Sequence, residues 1–182
     1  MKSLQMISDL GEMKMNYLLM PWELELDVDA TKELYERNNY ATDQRANDEF
    51  ISKLSAEQKD FFETLGVSLD KIKVDKKIYD IPADGEMPAV KMYRMAVDFL
   101  LCGKFLAVPS FQKELYSEEE IFGKEFPEHI KVYSSSEEIL SYDIGIGAGI
   151  VFKHPKLRLE DEKFQRWDCG YILGSLLIME EM

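Results

Sequence analysis

The stretch Ile144-Gly145-Ile146-Gly147-Ala148-Gly149-Ile150-Val151-Phe152 alternates with a period of two. Ile144, Ile146, Ala148, Ile150 and Phe152 fall on one face of a strand, and Gly145, Gly147 and Gly149 fall on the other. Glycine weakens a strand, because it gives up backbone entropy and packs no side chain. A glycine face therefore points to a close neighbour, either a helix or a ligand.

The carboxy-terminal segment from Glu160 to Met182 supplies a candidate neighbour. Phe164, Trp167, Tyr171, Leu176, Leu177 and Ile178 give it an apolar stripe, and Gly170 and Gly174 lie one helical turn apart. A long C-terminal helix with a small-residue face, packed on a glycine-faced strand, is the expected arrangement. The run from Cys169 to Met179 is too short and too interrupted to span a bilayer.

Earlier elements read in order. Residues 1–14 form an expected loosely attached leader with no secretory pattern, and residues 15–182 an expected single domain. Met15 to Leu26 reads as extended and is interrupted by Pro21, with Trp22-Glu23-Leu24-Glu25-Leu26 alternating. Asp27 and Asp29 introduce a helix in which Glu33 and Arg37 form an i,i+4 pair, and Asn38-Asn39 ends it. A second helix is expected from Thr42 to Leu54. A third starts at the capping box Ser55/Gln58, buries Phe61, Phe62 and Leu65, and stops at Gly66.

Lys71, Lys73, Lys76 and Lys77 alternate with Ile72 and Val74 and read as a solvated strand face continuing to Ile81. Pro88 opens an expected core helix through Val90, Tyr93, Val97, Leu100 and Leu101, closed by Gly103. A short strand at Phe105 to Val108, a helix from Ser110, a strand at Ile130 to Tyr133 and a helical turn capped by Ser134 to Ser136 complete the reading. The fold class is α+β, a mixed sheet with packed helices.

The formal charge of −13, from 22 basic and 35 acidic residues, repels nucleic acid and anionic membrane surfaces and suits a basic protein partner. The 46% hydrophobic content excludes a mainly disordered chain. Cys102 and Cys169 form no disulfide framework, and reduced thiols in a cytoplasmic protein are the expectation.

Chemistry is sparsely signalled. The Gly145-x-Gly147-x-Gly149 spacing differs from a dinucleotide fingerprint, which also needs its glycines in a turn opening a helix. His129 and His154 are the two histidines. Pro127 breaks the helical alignment of His129 with Glu125 and Glu128 as metal ligands, so no metal is expected, and no cofactor is expected either. Carboxylates interleaved with aromatic rings are more distinctive: Trp22 with Glu23 and Glu25, Tyr116 with Glu118, Glu119 and Glu120, and Tyr142 with Asp143. Such sets suit an interface that neutralises a basic surface. The alternative site is a ligand pocket made by Gly145, Gly147, Gly149 and His154, in a small-molecule-binding or enzymatic domain.

Met15-Asn16-Tyr17-Leu18-Leu19-Met20, as an opening strand, and Phe105-Leu106-Ala107-Val108-Pro109-Ser110-Phe111-Gln112-Lys113-Glu114-Leu115, as strand then helix, resemble blocks of bacterial polymorphic-toxin immunity proteins. The resemblance implies a small acidic cytoplasmic protein that binds and blocks a toxin domain without catalysis. A phage-encoded inhibitor of a bacterial defence protein has a similar acidic, compact character, and a subunit of a larger assembly, with the expected helix from Pro88 or Glu160 buried in a partner, is the third alternative.

Overall fold

A computed structural model of the chain describes residues 14–85, 88–107, 112–114, 133–135, 142–145, 149–153 and 170–181. Strands β1 (Lys14–Leu19) and β2 (Trp22–Asp27) form a hairpin, joined through a cis Met20–Pro21 peptide. Pro21 thus sits in the turn, where its missing N–H leaves the ladder intact. The alternation in β2 is read out as written: Trp22, Leu24 and Leu26 are buried, while Glu23 and Glu25 lie on the other face. Residues 1–13 of the expected leader lie outside the described residues.

Asp27 ends β2 and starts helix α1 (Val28–Arg37), its carboxylate accepting the Ala30 N–H at 2.8 Å. The Glu33–Arg37 pair forms, and the Asn38 side chain donates to the Leu34 carbonyl at 2.9 Å as the helix ends. Helix α2 (Gln44–Lys53) follows. Helix α3 (Ala56–Thr64) carries both bonds of the Ser55/Gln58 capping box, and Gly66 follows its last turn. Strand β3 (Lys73–Ile81) continues the lysine stretch, where Lys73 pairs with Asp75 and Lys76 with Glu49.

The two long helices expected in the second half are corrected. The stretch expected as a helix from Pro88 is instead strand β4 (Val90–Ala107), and the described end of the chain is strand β9 (Tyr171–Glu181). Residues 160–169 of the expected C-terminal helix lie outside the described residues. The physical reason is a second periodicity in the same residues. Tyr93, Met95, Val97, Phe99 and Leu101 alternate onto one buried face of β4, and Ile172, Gly174, Leu176 and Ile178 do so in β9. The two strands pair antiparallel without a break from Met92↔Glu181 to Cys102↔Tyr171. Gly103 closes no helix. A Cβ there would lie 2.2 Å from the Glu25 carbonyl, so the glycine lets β4 pass against β2.

Strands β7 (Tyr142–Asp143) and β8 (Gly149–Lys153) cover only part of the stretch read as one glycine strand. Ile144 and Gly145 lie in the connection after β7, and Gly147 falls outside the described residues. Gln112–Glu114, expected in a helix, is strand β5, paired with β6 (Tyr133–Ser135). The main sheet has the order β1-β2-β4-β9-β8-β7, with β3 also on β4, and its pairings are antiparallel. Helices α2 and α3 cover one face through Phe50, Phe62 and Leu65. Helix α1 covers the other, with Ala30 and Leu34 against Leu100, Cys102 and Tyr171.

Close approach to a glycine does organise the core, at Gly174 within β9. Its cross-strand partners are Phe99 on β4 and Phe152 on β8. A Cβ on Gly174 would stand 2.2 Å from Cζ of Phe99. The bare strand position is filled by an aromatic ring from its neighbour.

Helix α1 also completes the β4 ladder. One edge of β4 pairs with β3 up to Asp98 and with β2 from Gly103 onwards, leaving Leu100 and Cys102 between the two partners. The Tyr35 hydroxyl accepts the Leu100 N–H at 2.8 Å and donates to the Leu100 carbonyl at 3.1 Å. Thr31 Oγ1 accepts the Cys102 N–H at 2.9 Å and donates to the Asp27 carbonyl at 2.8 Å. Burial pushes the Tyr35 phenol above its ordinary value, so it remains a donor.

Tyr35→Phe orphans both backbone groups of Leu100 and should lower unfolding stability by about 1–3 kcal/mol in urea titration, with little change in slope. Gly174→Ala should cost about 1–3 kcal/mol by overpacking against Phe99. Adding Phe99→Leu should recover part of that loss in a double-mutant cycle, through direct coupling of the two positions.

Candidate functional site

Helix α3 lies beneath the outer edge of the β1–β2 hairpin and places two adjacent aromatic residues there. Consecutive helical residues diverge by about 100°, so Phe61 and Phe62 serve different surroundings. Phe62 is fully buried, with its ring 5.2 Å from that of Phe99. Phe61 is half-buried and stacks on Tyr142 of β7, with centroids 5.6 Å apart and planes inclined by 24°. The Tyr17 hydroxyl ties β1 to the end of α3 by donating to the Thr64 carbonyl at 3.2 Å. Burial raises the pKa of that phenol.

Between these elements runs a groove of about 360 Å³. Asn16 to Leu19 of β1 form one wall, Glu57, Asp60, Phe61, Thr64 and Leu65 the floor, and Tyr142 the opposite wall. Leu18 is 55% exposed at its rim. Glu57 and Asp60 lie one turn apart on exposed positions of α3, and neither enters an ion pair among the described residues. The groove thus combines a strand edge, an aromatic floor and two carboxylates.

Gln58 fixes the far side. Its Oε1 accepts the Ser55 N–H within the capping box, while Nε2 donates to the Ile144 carbonyl. Asp143 accepts the Gly145 N–H at 2.7 Å, which turns the chain after β7. One glutamine therefore starts α3 and holds the β7 connection beside it.

Part of the sequence-expected set is gathered here. Tyr142 lines the groove, Asp143 adjoins it, and Glu23 is the cross-strand partner of the rim residue Leu18. Trp22 is wholly buried and meets Phe152 edge-on at 5.5 Å, so its ring belongs to the core and offers no surface anchor. Glu25 pairs with Lys104 at 3.1 Å. Tyr116, Glu118, Glu119, Glu120, Gly147 and His154 lie outside the described residues, Gly145 follows β7, and Gly149 pairs with Asp143. No motif or spacing in the sequence marks Asn16, Tyr17, Glu57 or Asp60 as functional. The adjacent Phe61-Phe62 pair is a signal for Phe61 alone, because consecutive helical residues point about 100° apart and only Phe62 is fully buried.

A second polar cluster joins α2 to the sheet. Glu49 accepts from Lys76 at 2.6 Å and from the Tyr93 hydroxyl at 2.8 Å, while Lys53 pairs with Glu180 at 3.0 Å. The Lys76 and Tyr93 hydrogen bonds hold the Glu49 carboxyl below its ordinary value. Desolvation, followed by Glu49, pushes the Tyr93 phenol up. These charges satisfy one another and read as a stitch between elements. Among the described residues, no group of three or more His, Cys, Asp or Glu side chains is placed to hold a metal ion, and no helix is long and apolar enough to cross a membrane. No protein-family model, curated protein or solved structure matches the chain.

Gln58→Glu keeps the acceptor of the capping box but removes the donor to Ile144. Amide exchange at Gly145 should quicken several-fold while helix content by circular dichroism stays unchanged. Equal exchange in both proteins would show that the Gln58 bond does not hold the connection.

Proposed function

We propose that this acidic chain is a binding protein that captures a basic protein partner in the groove between β1, α3 and β7 and thereby blocks it, as the likeness to immunity proteins implies. The observation that carries the reading is the pairing of Glu57 and Asp60 with the Phe61–Tyr142 stack in one groove. Aromatic rings desolvate well and anchor an interface, while unpaired carboxylates steer a positively charged surface toward it. The charge of −13 extends the same field over the whole molecule. A cytoplasmic setting accords with this reading.

The volume of the groove favours a second reading, since about 360 Å³ falls within the roughly 300–1,000 Å³ range of small-molecule sites. Capture from native cells separates the two. The full chain should retain a basic protein at low salt and release it as salt rises. Glu57→Lys/Asp60→Lys should slow association at least tenfold and flatten its salt dependence, while thermal unfolding stays unchanged. Retention of no protein, together with a ligand-dependent rise in unfolding temperature, would overturn the partner reading in favour of a small molecule.

A further inference from the structure

The outer edge of β1 faces this groove, and its backbone has a fixed orientation. A two-residue turn closes the β1–β2 hairpin, so Leu19 and Trp22 form the closing hydrogen-bonded pair. Antiparallel alternation then directs the N–H and C=O of Tyr17 toward β2 and those of Asn16 and Leu18 outwards. Among the described residues β1 has a strand neighbour on one side only. Exposed edges of this kind are usually blunted by inward charges, prolines or covering elements. Here the edge is followed by a hydrophobic rim residue, Leu18, and by the groove itself.

We infer that the occupant of the groove is an extended basic segment of the protein partner, added as a strand to the outer edge of β1. This deepens the reading above and rests on it. The Asn16 and Leu18 backbone groups supply main-chain hydrogen bonds to the incoming strand. Successive side chains of a strand point to opposite faces, so every second residue of the segment turns toward α3. Those residues meet the Phe61–Tyr142 stack at the centre and the Glu57 and Asp60 carboxylates on the helix. The chemistry selects Lys or Arg whose alkyl stem lies along an aromatic ring while its charged head reaches a carboxylate. Charge complementarity excludes an acidic segment, and the same negative field opposes edge-to-edge pairing of two copies of this chain.

A phage-displayed library of random twelve-residue peptides, selected on the full chain, tests the inference without knowledge of the partner. Enriched peptides should carry Lys or Arg at alternate positions and lose at least tenfold in affinity on Glu57→Lys/Asp60→Lys. In the best synthetic peptide, N-methylation at alternate residues should weaken binding at least tenfold in one register and less than twofold in the other, because only one edge of the added strand pairs with β1. Amide exchange at Asn16 and Leu18 should slow on peptide binding. Equal tolerance of both methylation registers, enrichment of peptides that leave Asn16 and Leu18 unaffected, or a failure to enrich any peptide would overturn strand addition. So would sedimentation showing a dimer that Leu18→Lys dissociates, since the edge would then serve a second copy. The salt-dependent capture above is scored separately, so the basic-partner reading survives or falls on its own evidence.

Discussion

Both backbone hydrogen-bonding groups of Leu100 end on one phenol oxygen, and the architecture depends on that contact. Strand β4 reaches from the β3 pairing to the β2 pairing, and no single neighbour spans both. A buried N–H or C=O left open at the changeover would be costly in a low-dielectric core. The Tyr35 and Thr31 hydroxyls on α1 close the gap. The position of α1 is therefore set by hydrogen bonding as much as by its apolar contacts, and the hairpin that precedes it is held in place through Asp27.

From the same strand a relay of rings crosses the core. Trp22 meets Phe152, Phe152 meets Phe99, Phe99 meets Phe62, Phe62 meets Phe61, and Phe61 stacks on Tyr142 at the groove. Trp22 on β2 and Phe152 on β8 meet although β4 and β9 lie between their strands, which shows how far the sheet curls around α3. That curl brings the edge of β1 and the side chain of Tyr142 to one groove. The absence of a side chain at Gly174 makes room for Phe99 in this relay.

Local chemistry was legible in the sequence, and long-range pairing was not. The Asp27 cap, the Ser55/Gln58 box, the Glu33–Arg37 pair and the alternation of Trp22 to Leu26 each involve neighbours within a few residues, and each forms as expected. Val90 to Leu101 and Tyr171 to Met179 satisfy helical and strand periodicity at once, and their state is decided by mutual pairing. The same ambiguity misplaced the partner of Gly174, read as a helix glycine and found between two phenylalanines. The groove was only partly visible: Tyr142, Asp143 and Glu23 were named for their composition, whereas Tyr17, Glu57, Asp60 and Phe61 meet only once the sheet has curled.

The pairing of β4 with β9 also sets an order of events during synthesis. Met92 emerges from the ribosome long before Glu181, its register partner. Until then β4 has β2 and β3 on one edge and a vacant opposite edge beside the apolar row from Tyr93 to Leu101. Sheet completion is thus a non-local step, which leaves the apolar row from Tyr93 to Leu101 without its β9 neighbour until Tyr171 to Glu181 have been made. A holding chaperone that shields extended apolar segments would find its natural substrate in this interval.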